Sequence, residues 1–209
     1  MIFFDILQNF VQALLKIENL PLYQKNMAIV KPAATIMLAR DTQEGIEVLL
    51  SKRNKALKFA AGLWVFPGGK IEPYEIERGK DDINAAKLAA VRETKEEAAV
   101  DIDIDRELRF SRWRRPEIQP SRYASWFFFA DVSGQDLTVQ IDDSEIKKHG
   151  WVNPQKALNK VQAGELAMMP PTYISLQRIR KCKTVAEAST LLGAIDPIYI
   201  LPVLQMKEG

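Results

Sequence analysis

Cysteine is almost absent from this chain: 209 residues contain one, Cys182. A lone thiol closes no internal disulfide, so burial and hydrogen bonding must hold the fold, and a reducing, cytoplasmic compartment is expected. Set among Arg180, Lys181 and Lys183, Cys182 reads as a partly exposed thiol rather than a nucleophile. Histidine is equally scarce. His149 is the single copy, and its place beside Gly150 suggests a loop or strand edge rather than a catalytic position. Charge of one sign is also missing: the net charge is +2, which argues against a nucleic-acid surface. No apolar run is long enough to span a membrane. Phe3, Ile6, Leu7, Phe10, Leu14 and Ile17 recur at helical spacing, but Asp5, Gln8, Asn9 and Gln12 interrupt them and no basic segment precedes them. The polar face of that stripe lacks the lysines and arginines that favour a membrane surface, so it is expected to dock on the core or on a sister subunit, which leaves a homodimer open. No repeat or low-complexity segment occurs.

What the chain does have is apolar content, 47% of its residues, enough for a substantial core in one domain with extensions. Residues 1–30 read as an amphipathic helix and a connector with Pro21 and Pro32 at its breaks, with Met27 as an alternative start. Residues 31–209 read as the main domain with a C-terminal helical extension. Residues 33–39 and 47–53 are strand-like around a turn at 41–45. A strand is expected near 107–113. The continuous apolar run 123–132 implies a strand buried on both faces. Asn153 and Pro154 open a helix that ends at Gly164. Thr172 and Thr184 read as caps of two more, the last closed by Gly193, and 198–204 is expected to fold back on the body.

The chain is organised around residues 66–100. Phe66-Pro67-Gly68-Gly69 must turn sharply, because proline fixes φ and glycine accepts conformations other residues avoid. A helix follows a polar spacer. Glu93, Glu96 and Glu97 stand there at i, i+3 and i+4 and share a face, with Leu88, Val91, Thr94 and Ala98 roughly opposite. Like charges so close repel, and a hard divalent cation, which takes oxygen ligands and is often shared with substrate phosphates, would compensate. Arg92 can neutralise and orient part of the cluster. A solvated acidic face is the competing reading.

Gly-Gly, spacer and Arg-Glu-x-x-Glu-Glu together resemble the signature of Nudix hydrolases, G-x5-E-x7-R-E-U-x-E-E-x-G-U, with U aliphatic. Gly69 opens it, Arg92-Glu93 and Glu96-Glu97 form its centre, and Val100 closes it. The chain departs from the pattern in its spacer, which is too long, so the first glutamate is replaced by Asn84 or lies in the insertion at Glu75 or Glu77. Thr94 stands for an aliphatic residue, and Ala99 for the helix-ending glycine. The stretch 49–69, with Arg53 and Lys58 before Phe-Pro-Gly-Gly, is similar to the upstream signature of coenzyme A-cleaving Nudix enzymes.

The resemblance covers about residues 31–180. It implies an α/β/α sandwich with a mixed sheet, to which the N-terminal helix and C-terminal helices are additions. It also implies hydrolysis of a diphosphate bond in a nucleoside diphosphate joined to another moiety, coenzyme A first, with NADH or ADP-ribose as alternatives. A nucleotide-sensing module without catalysis is a further alternative. Mg²⁺ or Mn²⁺ is implied at Glu93, Glu96, Glu97 and the Gly69 carbonyl, and Arg92 belongs to the catalytic set. Glu93, then Glu145, is the expected base. Arg53, Lys58, Gly68, Lys70 and Trp113 are expected to meet the substrate. The competing readings are loop charges for Arg53 and Lys58, and a core position for Trp113. The spacer at 73–82 is expected to be an exposed loop.

Overall fold

A computed structural model describes residues 30–103, 108–114, 122–135, 137–139, 144–194 and 197–200. The expected helix within residues 1–17 lies outside them, as do residues 201–204.

The centre is β1 (Val30–Thr42), whose neighbours make the sheet mixed. It pairs antiparallel with β2 (Gly45–Arg53) and parallel with β6 (Arg122–Asp131). Antiparallel contacts add β3 (Trp64–Val65) and β7 (Ile146–Val152) to β2, and β4 (Gly68–Lys70) to β1. Beyond β6 lie β5 (Leu108–Arg114), antiparallel to it, and β8 (Ile198–Ile200), parallel to β5. The order β3-β2-β1-β6-β5-β8, with β4 and β7 branching off, confirms the mixed sheet.

Side-chain alternation divides two cores across this sheet. Ala34, Ile36, Leu38, Trp126, Phe128 and Ala130 face one side, while Met37, Ala39, Val48, Leu50, Phe127 and Phe129 face the other. Ala124 to Ala130 are nearly all buried, because β6 lies between two strands and is covered on both faces. The first face is covered by α2 (Asp82–Ala98), and α1 (Pro73–Gly79) lies against α2. The second is covered by α3 (Pro154–Gln162), α4 (Pro170–Ile179) and α5 (Val185–Gly193). The result is an α/β/α sandwich. No helix among the described residues is long and apolar enough to cross a membrane.

Three local expectations are corrected. The spacer is not a loop: 73–79 is helical, started by Pro73 and a capping box between Glu72 and Glu75. Helix α4 starts at Pro170 after Met169, so Thr172 is buried inside the first turn rather than capping it. The packing face of α2 is built from Ala85, Ala86, Ala89, Ala90 and Ala98 with Thr94, while Leu88 and Val91 are only half-buried. Small side chains let this helix lie close to the sheet. Asp81 caps α2, and Asn153 and Thr184 cap α3 and α5 as their sequences suggest.

Helix α2 ends on Ala99, whose φ of 55° is left-handed. A Cβ in that conformation costs about 1–2 kcal/mol. Ala99→Gly is therefore expected to stabilise the protein by about 0.5–1 kcal/mol after the greater unfolded-state entropy of glycine is subtracted. Thermal unfolding should show a higher midpoint; an unchanged or lower one would mean that the turn carries no strain.

Candidate active site

Strand β1 anchors the double-glycine bend: Ala34 pairs with Gly69 and Thr35 with Gly68. Gly68 has a φ of 152°, and a Cβ there would run into Ala34 and Thr35. At Gly69 a Cβ would run into the Glu93 carboxylate, so the missing side chain is the space that the acid fills. Gly69→Ala is accordingly expected to displace Glu93 and lower turnover by about a hundredfold, the scale of a small misplacement at a reacting centre. Steady-state rates on a variant with an unchanged circular dichroism spectrum would check this; near-normal turnover would show that Glu93 can move without loss.

The three acids of α2 do not share one environment. Glu97 is 5% exposed and accepts the Gly68 N–H at 3.0 Å. Burial pushes its carboxyl up to about 8, opposed by the Gly68 hydrogen bond and Arg53 and reinforced by Glu93 and Glu145. Glu93 is also raised, first by burial, with Arg92 opposing and Glu96 and Glu145 adding to the shift. The Glu96 side chain is 59% exposed and turned toward Arg92. The helix therefore places Glu93 and Glu97, one turn apart, against the glycine bend and leaves Glu96 at the rim.

Arg92 is the hub of this cluster. Its Nε donates to Glu75 at 2.9 Å, its Nη1 to Glu93 and Glu96 at 2.9 Å each, and its Nη2 to the Lys70 carbonyl at 2.9 Å. Burial pulls the guanidinium down, but Glu75 and Glu93 outweigh it and hold it above its ordinary value. Glu75, 1% exposed, resolves the open choice for the first glutamate. Asn84 instead bonds the Asp81 cap and Glu77 is exposed. The signal was available: Glu75 stands at the spacing from Gly69 that the signature requires, so the insertion falls between Glu75 and Arg92.

A second arginine bridges the remaining acids. Arg53, at the end of β2, lies 3.7 Å from Glu97 and 3.1 Å from Glu145. Asn54 donates its N–H to the Glu145 carbonyl at 2.7 Å and its Nδ2 to the Ser144 carbonyl at 2.8 Å. It thus fixes the segment that carries Glu145, whose side chain is 54% exposed.

The other expected substrate contacts diverge. Lys58 is exposed on the segment between β2 and β3, and Lys70 is exposed at the end of β4. The Gly68 N–H is engaged by Glu97, so its visible work is to orient that acid. Trp113 is a correction: it is 5% exposed in the core against Phe127, with no open face on which a base could stack. Alternation along β5 puts it there, while Arg112 on the opposite face lies 4.2 Å over the Trp126 ring. His149 is exposed on β7, and burial followed by Glu187 raises the Cys182 thiol, so neither residue joins the site.

Among the described residues, no three His, Cys, Asp or Glu side chains are already arranged to hold a metal ion. Arginines instead meet the acids. The donor set nonetheless suits a hard divalent cation: it is all oxygen, two of its carboxylates are raised by burial and by neighbouring acids, and the missing side chain of Gly69 leaves room for the Glu93 carboxylate beside the bend.

Comparison with known proteins gives this geometry its class. The family model for the NUDIX domain matches residues 30–170. A crystal structure of a NUDIX hydrolase from Alicyclobacillus acidocaldarius superposes with a TM-score of 0.71 at 25% identity, covering 79% of this chain and 97% of that one. The NUDIX domain of Shewanella oneidensis NrtR, complexed with ADP ribose, gives a TM-score of 0.53 at 20% identity, covering 73% of this chain and 88% of that one. The MutT protein from Methanosarcina mazei Go1 gives 0.53 at 18%, covering 73% and 96%. No curated protein sequence matches. The fold is thus that of the Nudix hydrolases, which generally use divalent metal ions. The chain belongs to the Nudix family and is a Nudix-type pyrophosphohydrolase.

Proposed function

We propose that this protein hydrolyses the diphosphate bond of a nucleoside diphosphate joined to another moiety, with coenzyme A or a derivative as its leading substrate and Mg²⁺ or Mn²⁺ as its cofactor. The observation that carries the reading is the convergence of Glu93 and Glu97 on the Gly68-Gly69 bend, both acids raised above their ordinary values by burial and by neighbouring carboxylates. A binding module alone does not need carboxylates under such electrostatic load. When bound, the divalent cation neutralises phosphate charge and lowers the pKa of water for in-line attack. Glu93 and Glu97, with Glu96 and the Gly69 carbonyl, would hold it.

The remaining roles belong to the chain's own groups. Arg92, fixed by Glu75, holds Glu93 and Glu96 in register. Glu93 takes a proton from the attacking water, since a desolvated carboxylate is a better base than an exposed one. Glu145 is the next choice, because it is close enough for its charge to raise both Glu93 and Glu97. Arg53, Lys58 and Lys70 supply positive charge for the phosphates, Arg53 by a two-pronged guanidinium grip and the lysines as point charges. Coenzyme A leads because 49–69 keeps the spacing of the coenzyme A-cleaving signature up to the bend that holds Glu93. The lone thiol suits a cytoplasmic setting.

A panel of coenzyme A, acyl-coenzyme A, NADH, ADP-ribose and dinucleoside polyphosphates, with Mg²⁺ or Mn²⁺ and product identification, tests the proposal. Coenzyme A should be cleaved at its diphosphate into two phosphorylated products. Faster cleavage of another compound would replace the substrate, and tight binding without cleavage of any would replace the enzyme by a sensor.

A further inference from the structure

We propose that Arg53 is a stand-in for the divalent cation: without the cation its guanidinium neutralises Glu97 and Glu145, and the cation must displace it before the diphosphate is engaged. The inference deepens the hydrolase reading and rests on it.

The two arginines of the site are held very differently. Arg92 is bonded by Glu75, Glu93, Glu96 and the Lys70 carbonyl, all at 2.9 Å, so each part of its guanidinium has a partner. Arg53 is under-bonded. Its Nη2 reaches Glu145 at 3.1 Å, its Nη1 stands 3.7 Å from Glu97, beyond hydrogen-bond distance, and its Nε is buried with no partner. A guanidinium offers five N–H donors, and leaving a buried one unmatched is unfavourable. Arg53 is thus attracted to this place by charge without being fitted to it, whereas Arg92 is built in.

Of the two carboxylates it meets, Glu97 is one that the cation would need, and Glu145 adds its charge beside it. Gly68 holds one oxygen of Glu97, and the other is the one facing Arg53. Asn54, the next residue, grips the backbone at Ser144 and Glu145, so Glu145 stays beside Arg53 whether or not their side chains are paired. Two positive groups competing for the same carboxylates oppose each other, and this antagonism is reciprocal. Once displaced, the guanidinium keeps its anchored backbone, whose N–H donates to Leu63 at 3.0 Å, and its fork becomes available for phosphate. Cation binding would then precede and enable substrate binding.

The test is a Mn²⁺ titration without nucleotide, with free Mn²⁺ followed by electron paramagnetic resonance, on the wild type, Arg53→Gln, Arg53→Lys and Glu97→Gln. Arg53→Gln should bind Mn²⁺ more tightly than wild type, by about fivefold to a hundredfold, the usual span of coupling between ligands. Its KM for the diphosphate substrate should rise. Arg53→Lys, which keeps the charge but loses the fork, should tighten Mn²⁺ binding less, and it carries the test should the glutamine variant fail to fold. Equal or weaker Mn²⁺ binding by the folded Arg53 variants, with wild-type binding that Glu97→Gln weakens, overturns this inference alone. Wild-type protein that binds no Mn²⁺, or binds it regardless of Glu97, overturns the hydrolase reading with it.

Discussion

Glu97→Gln is expected to lower turnover by roughly a hundredfold or more, the loss seen when one strong electrostatic stabiliser is removed, while the folded protein stays at least as stable as the wild type. The two halves of this result come from one fact. Glu97 is buried beside the glycine bend, and burial, helped by Glu93 and Glu145, pushes its carboxyl up to about 8. Without a cation, burial favours the protonated carboxyl and Arg53 the ionised one, so the negative charge is only partly held near neutrality. A glutamine amide has nearly the same shape, carries no charge and can still accept the Gly68 N–H through its oxygen. The fold then loses little beyond a long contact with Arg53, but a ligand that must be an anion is gone. Turnover measured beside thermal unfolding separates these effects. A variant with near-normal rates would remove Glu97 from the reaction, and one that is inactive because it unfolds would show that the acid serves the core.

The second large effect is a pH dependence of stability that divalent cations should abolish. Glu97 has an unfolded value near 4.5 and a folded value of about 8. Between those limits the folded chain retains a proton that the unfolded chain gives up, so stability is highest below the lower value and falls as pH rises through the higher one. Glu93 is shifted in the same direction, with burial as the leading cause. Every tenfold tightening of proton binding in the folded chain corresponds to about 1.4 kcal/mol, which makes the fall a matter of a few kcal/mol. A cation that binds the ionised form removes the penalty, so Mg²⁺ or Mn²⁺ should raise the unfolding midpoint much more at about pH 8 than at about pH 5. Midpoints recorded across this range with a chelator and with the cation provide the check. Parallel curves would mean that the buried acids are not where the ion binds.

Much of this site can be read from the chain because its signals are local. The Phe66-Pro67-Gly68-Gly69 bend and the one-turn spacing of Glu93 and Glu97 need no knowledge of distant residues. The capping residues Asn153 and Thr184 behave in the same way, since a side-chain oxygen at a helix start acts on its own next turn. Thr172 carries the same hydroxyl but is overruled by Pro170 and Pro171, which suit the first helical positions and move the start upstream.

What stays hidden depends on tertiary partners. Helical spacing groups Glu93, Glu96 and Glu97 on one face but not the depth that separates buried Glu97 from exposed Glu96. That depth follows from how closely an alanine face lets α2 approach β1 and β4. The spacer reads as a loop because its charges are many; its first part folds as a helix whose Glu75 is claimed by Arg92 seventeen positions later. Trp113 sits beside basic residues in the chain, yet alternation along β5 turns it into the core. Asn54 and Glu145 meet across 91 positions, through a contact that no short motif records.

The central claim is that the acidic turn of α2 and the glycine bend together bind divalent cations, and crystals soaked in Mn²⁺ test it most directly through anomalous scattering. The expected result is a strong peak bounded by Glu93, Glu97 and the Gly69 carbonyl, with Arg53 moved away from Glu97. A peak at another place, or none beside these groups while Arg53 keeps its contacts, would contradict it.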